Sequence, residues 1–183
     1  MKTLVIHPID STTDFLERIY KGKDWTVLRP GKEYSVMNVS KKEIKEGIKT
    51  HDRIIMLGHG LETGLIAPTN NYNGYRYIID SSLVYLLREK ECVCIWCNAD
   101  EFVKKYDLKG FYTGMIISEY EESISYCIRT NDSQLLESNE LFADSVAKYI
   151  NRIPKGMFDG ILSTYIGDTP VIDFNRKNIH YNG

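Results

Sequence analysis

Arg53-Ile54-Ile55-Met56-Leu57-Gly58-His59-Gly60 is the stretch on which the reading of this chain turns. Four consecutive apolar residues bounded by glycine form a run too short for a helix, and they predict a buried strand that ends at His59. Further along, Cys92-Val93-Cys94-Ile95-Trp96 is a second run, nearly all apolar, that closes on Cys97. A strand of that kind lies in mid-sheet, covered on both faces. Between the two, Asp80 is placed to cap a helix carrying Leu83, Val84, Leu86 and Leu87 on its apolar side.

Working outward, residues 3–7 read as a short buried strand. Asp14 and Glu17 form a capping box ahead of Phe15, Leu16 and Ile19. Trp25 to Leu28 is a second apolar run, closed by Arg29-Pro30-Gly31. Ser40 with Glu43 is another capping box and opens a helix through Ile44 and Ile48 that stops by His51. After His59, Gly64 and Leu65-Ile66 predict a small hairpin before an exposed, mobile polar loop from Asn70 to Asn73. Phe102, Val103 and Tyr106 continue as a helix, Met115 to Ile117 as a fifth strand, Asn139 to Ile150 as a helix, and Lys155 to Tyr165 as another. A hairpin is expected from Val171 to Tyr181, turning around Asn175 to Asn178, and a long polar loop from Thr130 to Ser138. Strand and helix alternate through the first two-thirds. The expected fold is therefore a single α/β domain over residues 1–183, a three-layer α-β-α sandwich with right-handed crossovers onto a mainly parallel central sheet.

Composition narrows the function classes. With 183 residues, 43 % of them hydrophobic and 26 % charged, the chain is long enough to bury a core without disulfides or metals. A net charge of −2 supplies no general field for phosphate backbones or anionic lipid, which counts against nucleic acid and membrane partners. The start offers only Leu4-Val5-Ile6 before His7, too little for a signal-peptide core or a membrane span. Three of the four cysteines crowd into Cys92, Cys94 and Cys97, which reads as thiols in a reducing, cytoplasmic compartment.

In open α/β sheets ligands bind beyond the carboxyl ends of the strands, and His59 and Cys97 both sit there. If their strands are neighbours, the two ends lie about 5 Å apart sideways. An imidazole and a thiol at that spacing suit nucleophilic catalysis: the His raises the thiolate fraction of the Cys and later protonates a leaving amine. Gly60 lets the backbone approach a substrate, and its N–H with that of Cys97 is placed to hold an oxyanion. Because Gly60 belongs to a loop rim, a larger side chain there should spare the fold. An active-site Cys97 should also alkylate faster than the strand-buried Cys92 and Cys94.

Ile54-Ile55-Met56-Leu57-Gly58-His59-Gly60, followed 38 residues after the His by Val93-Cys94-Ile95-Trp96-Cys97, resembles the caspase-like cysteine peptidases, a group that includes caspases, gingipains, clostripain and separase. The likeness covers about residues 1–130. It implies a strand ending in His-Gly, a helix, and a strand ending in the nucleophile, with the segment near residues 81–89 as that helix. His59 then maps to the general base, Cys97 to the nucleophile and the Gly60 N–H to the oxyanion hole. No cofactor is implied, and the substrate is a protein or peptide. Where caspases carry Gln-Ala-Cys-Arg-Gly this chain has Ile95-Trp96-Cys97-Asn98-Ala99, so the match is to the broad fold and dyad, and aspartate specificity does not carry over. By the same analogy the polar stretch Thr130 to Ser138 is expected to be a cleavable linker.

Other readings compete with this one. The three clustered cysteines with His59 have the ligand types of a zinc site, but strand alternation sends Cys92 and Cys94 to one face and position 97 to the other parity. No G-x-G-x-x-G follows the first strand and no Walker lysine is present. His7 reads as a packed or capping residue, His51 and His180 as structural. Asp100, Glu101, Glu119, Glu121 and Glu122 follow the fourth and fifth strands on the active rim, where Glu119 is a candidate to receive a basic substrate side chain. The plainer account is that acidic residues in a first helical turn complement its dipole. Rival functions are an inactive adaptor of the same fold that binds partners through its sheet edges, and a flavodoxin-like enzyme acting on a small molecule.

Overall fold

The computed structural model describes residues 1–31, 39–69 and 74–183, so the stretch Asn70 to Asn73 lies outside the described residues. The chain begins with β1 (Thr3–Ile6), a 3-10 helix (Ser11–Ile19), β2 (Thr26–Leu28), α1 (Lys41–Thr50) and β3 (Arg53–Leu57). Three short strands follow, β4 (Gly60–Leu61), β5 (Gly64–Pro68) and β6 (Tyr75–Ile79). A 3-10 turn (Ser81–Leu83) runs into α2 (Val84–Leu87), and then come β7 (Glu91–Ile95), α3 (Ala99–Tyr106) and β8 (Gly110–Thr113). Four helices lie beyond it, α4 (Tyr120–Ser125), α5 (Asp132–Tyr149), α6 (Pro154–Thr164) and α7 (Pro170–Lys177), before the final strand β9 (Ile179–Asn182).

Six of the strands make the central sheet in the order β2-β1-β3-β7-β8-β9, all parallel except β9, which runs antiparallel to β8. The inner strands β1, β3 and β7 bury both faces, as their apolar runs require, while the edge strands β2 and β9 stay partly exposed. Leu4, Ile54, Met56, Cys92 and Cys94 meet Ile44 and Ile48 of α1, Leu87 of α2 and Phe102 of α3 on one side. Val5, Ile55, Leu57, Val93 and Ile95 meet Leu16 and Ile19 of the 3-10 helix, Phe142 and Val146 of α5 and Ile161 of α6 on the other. The three-layer α-β-α architecture is thus built from two separate apolar layers, each large aliphatic side chain contributing about 1.5–3 kcal/mol on burial. Strand order reverses between β1 and β3, so the crevice at the carboxyl ends of those two strands is the switch point where doubly wound sheets hold ligands.

Several local expectations are corrected. The first helix is a 3-10 helix capped by Asp10, whose side chain accepts from the Thr12 N–H. Asp14 and Glu17 form no capping box because the helix has already begun at Ser11; their carboxylates pair with Arg29 instead. The fifth parallel strand is Gly110–Thr113, not Met115 to Ile117. Gly110, at φ +140, lies so close to Cys92 that a Cβ would come within 1.7 Å of its carbonyl oxygen. Thr130 to Ser138 is not an open loop: Asn131 caps the Gln134 N–H, α5 begins at Asp132, and Ser138 is buried against the Tyr165 hydroxyl at 2.7 Å. The polar run there is the solvent face of a helix. The expected tail hairpin is α7 followed by an edge strand, because Thr169 caps the Ile172 N–H and Pro170 fits the first helical turn. The small hairpin gains β6 as a third strand. Among the described residues no helix is long and apolar enough to cross a membrane.

Candidate functional site

β3 and β7 are hydrogen-bonded neighbours in parallel register, Leu57 opposite Ile95, and the Gly58 N–H donates to the Ile95 carbonyl at 3.0 Å. His59 and Cys97 therefore leave the sheet from adjacent strand ends. Two backbone turns release them. Gly58 takes φ +135, a conformation all but closed to other residues, and Asn98 takes φ 65 as the chain turns from Cys97 into α3. The glycine that permits the turn is thus Gly58. Gly60 serves differently: it lies buried in β4 against the indole of Trp96, and a Cβ on it would come within 1.9 Å of Trp96 Cδ1. Trp96 Nε1 also donates to the Leu61 carbonyl at 3.1 Å, fixing the small sheet to the end of β7. The expectation that a larger residue at position 60 spares the fold is overturned by this contact.

His59 is held by a polar chain from the loop after β1. Its Nε2 lies 2.6 Å from Thr12 Oγ1, and Thr12 donates both its hydroxyl (2.9 Å) and its N–H (3.1 Å) to Asp10 Oδ1. Asp10 Oδ2 is 4.0 Å from the same imidazole nitrogen. Behind this chain, fully buried His7 bonds through Nδ1 to the Tyr20 hydroxyl (3.0 Å) and through Nε2 to Thr13 Oγ1 (3.2 Å). Burial, with the Arg29 charge adding to it, pushes His7 down to about 3, so it is a neutral brace and not a second base. His51, the end of α1, reaches the Gly47 carbonyl and Thr26, in keeping with a structural part.

Cys97 meets a different environment. Its Sγ lies 3.6 Å from the Ile116 carbonyl and 3.7 Å from Glu122 Oε1. Burial, reinforced by the Glu122 carboxylate, pushes the thiol up to about 12, so at neutral pH it is the protonated S–H. This opposes the expectation of a thiol activated at rest. Glu122 is fixed in turn, its Oε2 accepting from the N–H groups of Ser118 (2.8 Å) and Glu119 (3.1 Å) at the start of α4. Glu119 heads that helix. Burial raises its carboxyl, His59 opposes the rise, and Glu122, Asp10 and Glu121 add to it, so the four acids and the imidazole form one electrostatic group. Asp100 is engaged elsewhere, pairing with Lys104 one turn along α3 at 2.7 Å.

His59 and Cys97 wall the same cleft together with Leu16, Ile95, Ile116 and Phe142, and the enclosed space is about 20 Å³, room for about one water. Among the described residues no hydrogen bond joins the two side chains; Thr12 occupies one and Ile116 with Glu122 the other. Gly60 and Glu119 are not among the cleft walls. Cys92 and Cys94 lie in the opposite apolar layer, as parity requires, so the three clustered sulfurs do not converge. Among the described residues no three His, Cys, Asp or Glu side chains gather as a metal site would need. Cys127 is an exposed free thiol.

A scan against protein-family models gives no match, and no curated protein aligns significantly with the chain. The arrangement can bring a base and a sulfur nucleophile to one substrate atom, at a rim where an acid group surrounds them. Three members escaped the sequence reading. Asp10 and Thr12 carry the Asx-turn signal of Asp-Ser-Thr-Thr, and Glu122 was visible only as one acid among five on the rim, with no sign that it would face Cys97.

Proposed function

We propose that this chain is a cysteine endopeptidase of caspase-like fold, with Cys97 as nucleophile and His59 as general base and later general acid. The observation that carries the reading is the parallel pairing of β3 with β7, which sets His59 and Cys97 side by side as walls of one cleft at the carboxyl rim. In this reading the Cys97 thiol gives its proton to His59, sulfur attacks a peptide carbonyl, and the imidazolium returns that proton to the leaving amine. The Cys97 N–H receives the oxyanion, and the Gly60 N–H and the Glu119 carboxylate, which do not line the closed cleft, join it as oxyanion donor and as acceptor of a basic substrate side chain only once substrate widens the cleft. The reaction needs no cofactor, the substrate is a cytoplasmic protein or peptide, and the structure as described is a resting state. Substrate must widen a cleft of about 20 Å³ and part Cys97 from Glu122 before the thiol ionises.

The test is a peptidyl electrophile panel varied at the residue before the warhead, applied to a Cys127→Ser protein so that the exposed thiol does not contribute. Labelling that disappears in Cys97→Ala and falls at least 10²-fold in His59→Gln supports the peptidase. A second reading, a non-catalytic binding domain of the same fold, is favoured by the protonated state of the Cys97 thiol. Failure of every electrophile to label Cys97 would decide for it.

A further inference from the structure

The hydroxyl of Thr12 has a single proton, and it is committed: Thr12 Oγ1 donates to Asp10 Oδ1 at 2.9 Å, and that carboxylate is an acceptor only. Toward His59 Nε2, 2.6 Å away, the same oxygen can therefore only accept. A neutral His59 must then carry its proton on Nε2, and its Nδ1 is left with a bare lone pair. Among the described residues Nδ1 makes no hydrogen bond, and the ring faces the cleft that Cys97 also walls. Asp10 does two things with one carboxylate: Oδ1 caps the 3-10 helix and orients the Thr12 hydroxyl, while Oδ2 stands 4.0 Å from Nε2.

We propose that Asp10 and Thr12 are positioning residues that fix His59 as its Nε2–H tautomer, presenting Nδ1 as the basic atom to the Cys97 thiol. This rests on the reading of the cleft as a Cys–His hydrolytic centre. The proton leaves Cys97 Sγ for Nδ1, giving a thiolate and an imidazolium with N–H on both nitrogens. The imidazolium then faces Asp10 through Thr12 on one side and the Glu119 carboxyl on another, while His7 behind them stays neutral. The loop after β1 holds the chain because Pro8 packs on Gly58, 3.4 Å from where a Cβ would be, which locks the two sides of the switch point together.

The tautomer is read directly by long-range proton–nitrogen correlation spectra of the 15N-labelled full chain, with the His59 signals assigned by their loss in His59→Gln. The wild type should show the Nε2–H form, and Thr12→Ser and Asp10→Asn, which each keep an oxygen in place, should retain it. Asp10→Ala frees the Thr12 hydroxyl to donate and should turn His59 to the Nδ1–H form. Thr12→Val should give a mixture and slow iodoacetamide labelling of Cys97 by about tenfold or more in the Cys127→Ser background. A purely structural role for the pair would leave the tautomer unmoved in folded Asp10→Ala and Thr12→Val. An Nδ1–H form in the wild type, or that unmoved tautomer, overturns the proposal whatever Cys97 does. An Nε2–H wild type whose Cys97 labels at the same rate in His59→Gln upholds the positioning and overturns the hydrolytic reading instead.

Discussion

The two halves of the rim are prepared to different degrees. On the His59 side a chain of short hydrogen bonds runs from Asp10 through Thr12 to the imidazole, braced from behind by His7, Tyr20 and Thr13. On the Cys97 side the thiol is enclosed by apolar walls and faces a carboxylate that disfavours its ionisation. In the polar half the carboxylate that orients Thr12 is also the cap of the 3-10 helix, so helix and imidazole share one anchor. The sulfur half instead opposes the charge that catalysis would need. The difference teaches that adjacent strand ends bring the two groups together through topology alone, while their ionisation is set by loops from other parts of the chain. Activation has to relieve the burial of the Cys97 thiol first and the facing Glu122 carboxylate of α4 second.

The seam between the halves is the Trp96–Gly60 contact, and breaking it should have the largest effect. Gly60→Val puts a branched side chain where even a Cβ meets the indole at 1.9 Å, and should lower stability by about 3 kcal/mol in urea unfolding. Next comes the brace behind His59. His7 titrates at about 3 in the fold against an ordinary 6.5, so the unfolded chain binds more protons between those values and stability falls as pH falls through that window. This group alone should make the protein about 2 kcal/mol less stable at pH 5 than at pH 7, and His7→Gln should remove that part of the slope. On the sulfur side, Glu122→Gln removes the like charge while keeping an oxygen for the Ser118 and Glu119 N–H groups. Iodoacetamide should then label Cys97 about tenfold faster near neutral pH, and an unchanged rate would deny Glu122 its part in suppressing the thiol. The smallest change in structure is expected at the turn itself: Gly58→Ala, with Pro8 no closer than 3.4 Å, should leave the fold unchanged by circular dichroism, while the strain of a side chain at φ +135 costs about 2 kcal/mol of unfolding free energy.

What was legible in the sequence followed from runs whose period leaves one choice. Ile54 to Leu57 and Cys92 to Trp96 are apolar at every position, so both faces had to be covered and His59 and Cys97 fell at strand ends; that the two strands are neighbours was a condition the runs left open, and the pairing of β3 with β7 meets it. Short runs with two solutions were less decisive. Met115 to Ile117 is the more apolar run, yet Gly110 to Thr113 is the strand: it pairs with Cys92 to Cys94 across the sheet, where Gly110 allows the close approach to Cys92. Thr130 to Ser138 looked like a loop because the helix it opens turns Ser133, Gln134 and Glu137 outward and buries only Leu135 and Ser138. The candidate dyad was legible, but its surroundings were not. Thr12 and His59 are 47 residues apart and Cys97 and Glu122 are 25 apart, and no periodicity relates residues that meet through loops.

Trp96 adds an optical consequence to its packing role. The chain has two tryptophans, and Trp25 sits at the start of β2 on the amino-terminal side of the sheet, away from the crevice. Trp96 lies one residue before Cys97, is 2 % exposed, and donates its indole N–H to Leu61. In a Trp25→Phe protein, fluorescence would come from a single indole at the junction of both halves of the rim. A buried emitter of that kind responds to loss of its hydrogen bond and to entry of water. The protein therefore carries its own reporter for widening of the cleft, readable in a stopped-flow instrument without any added label.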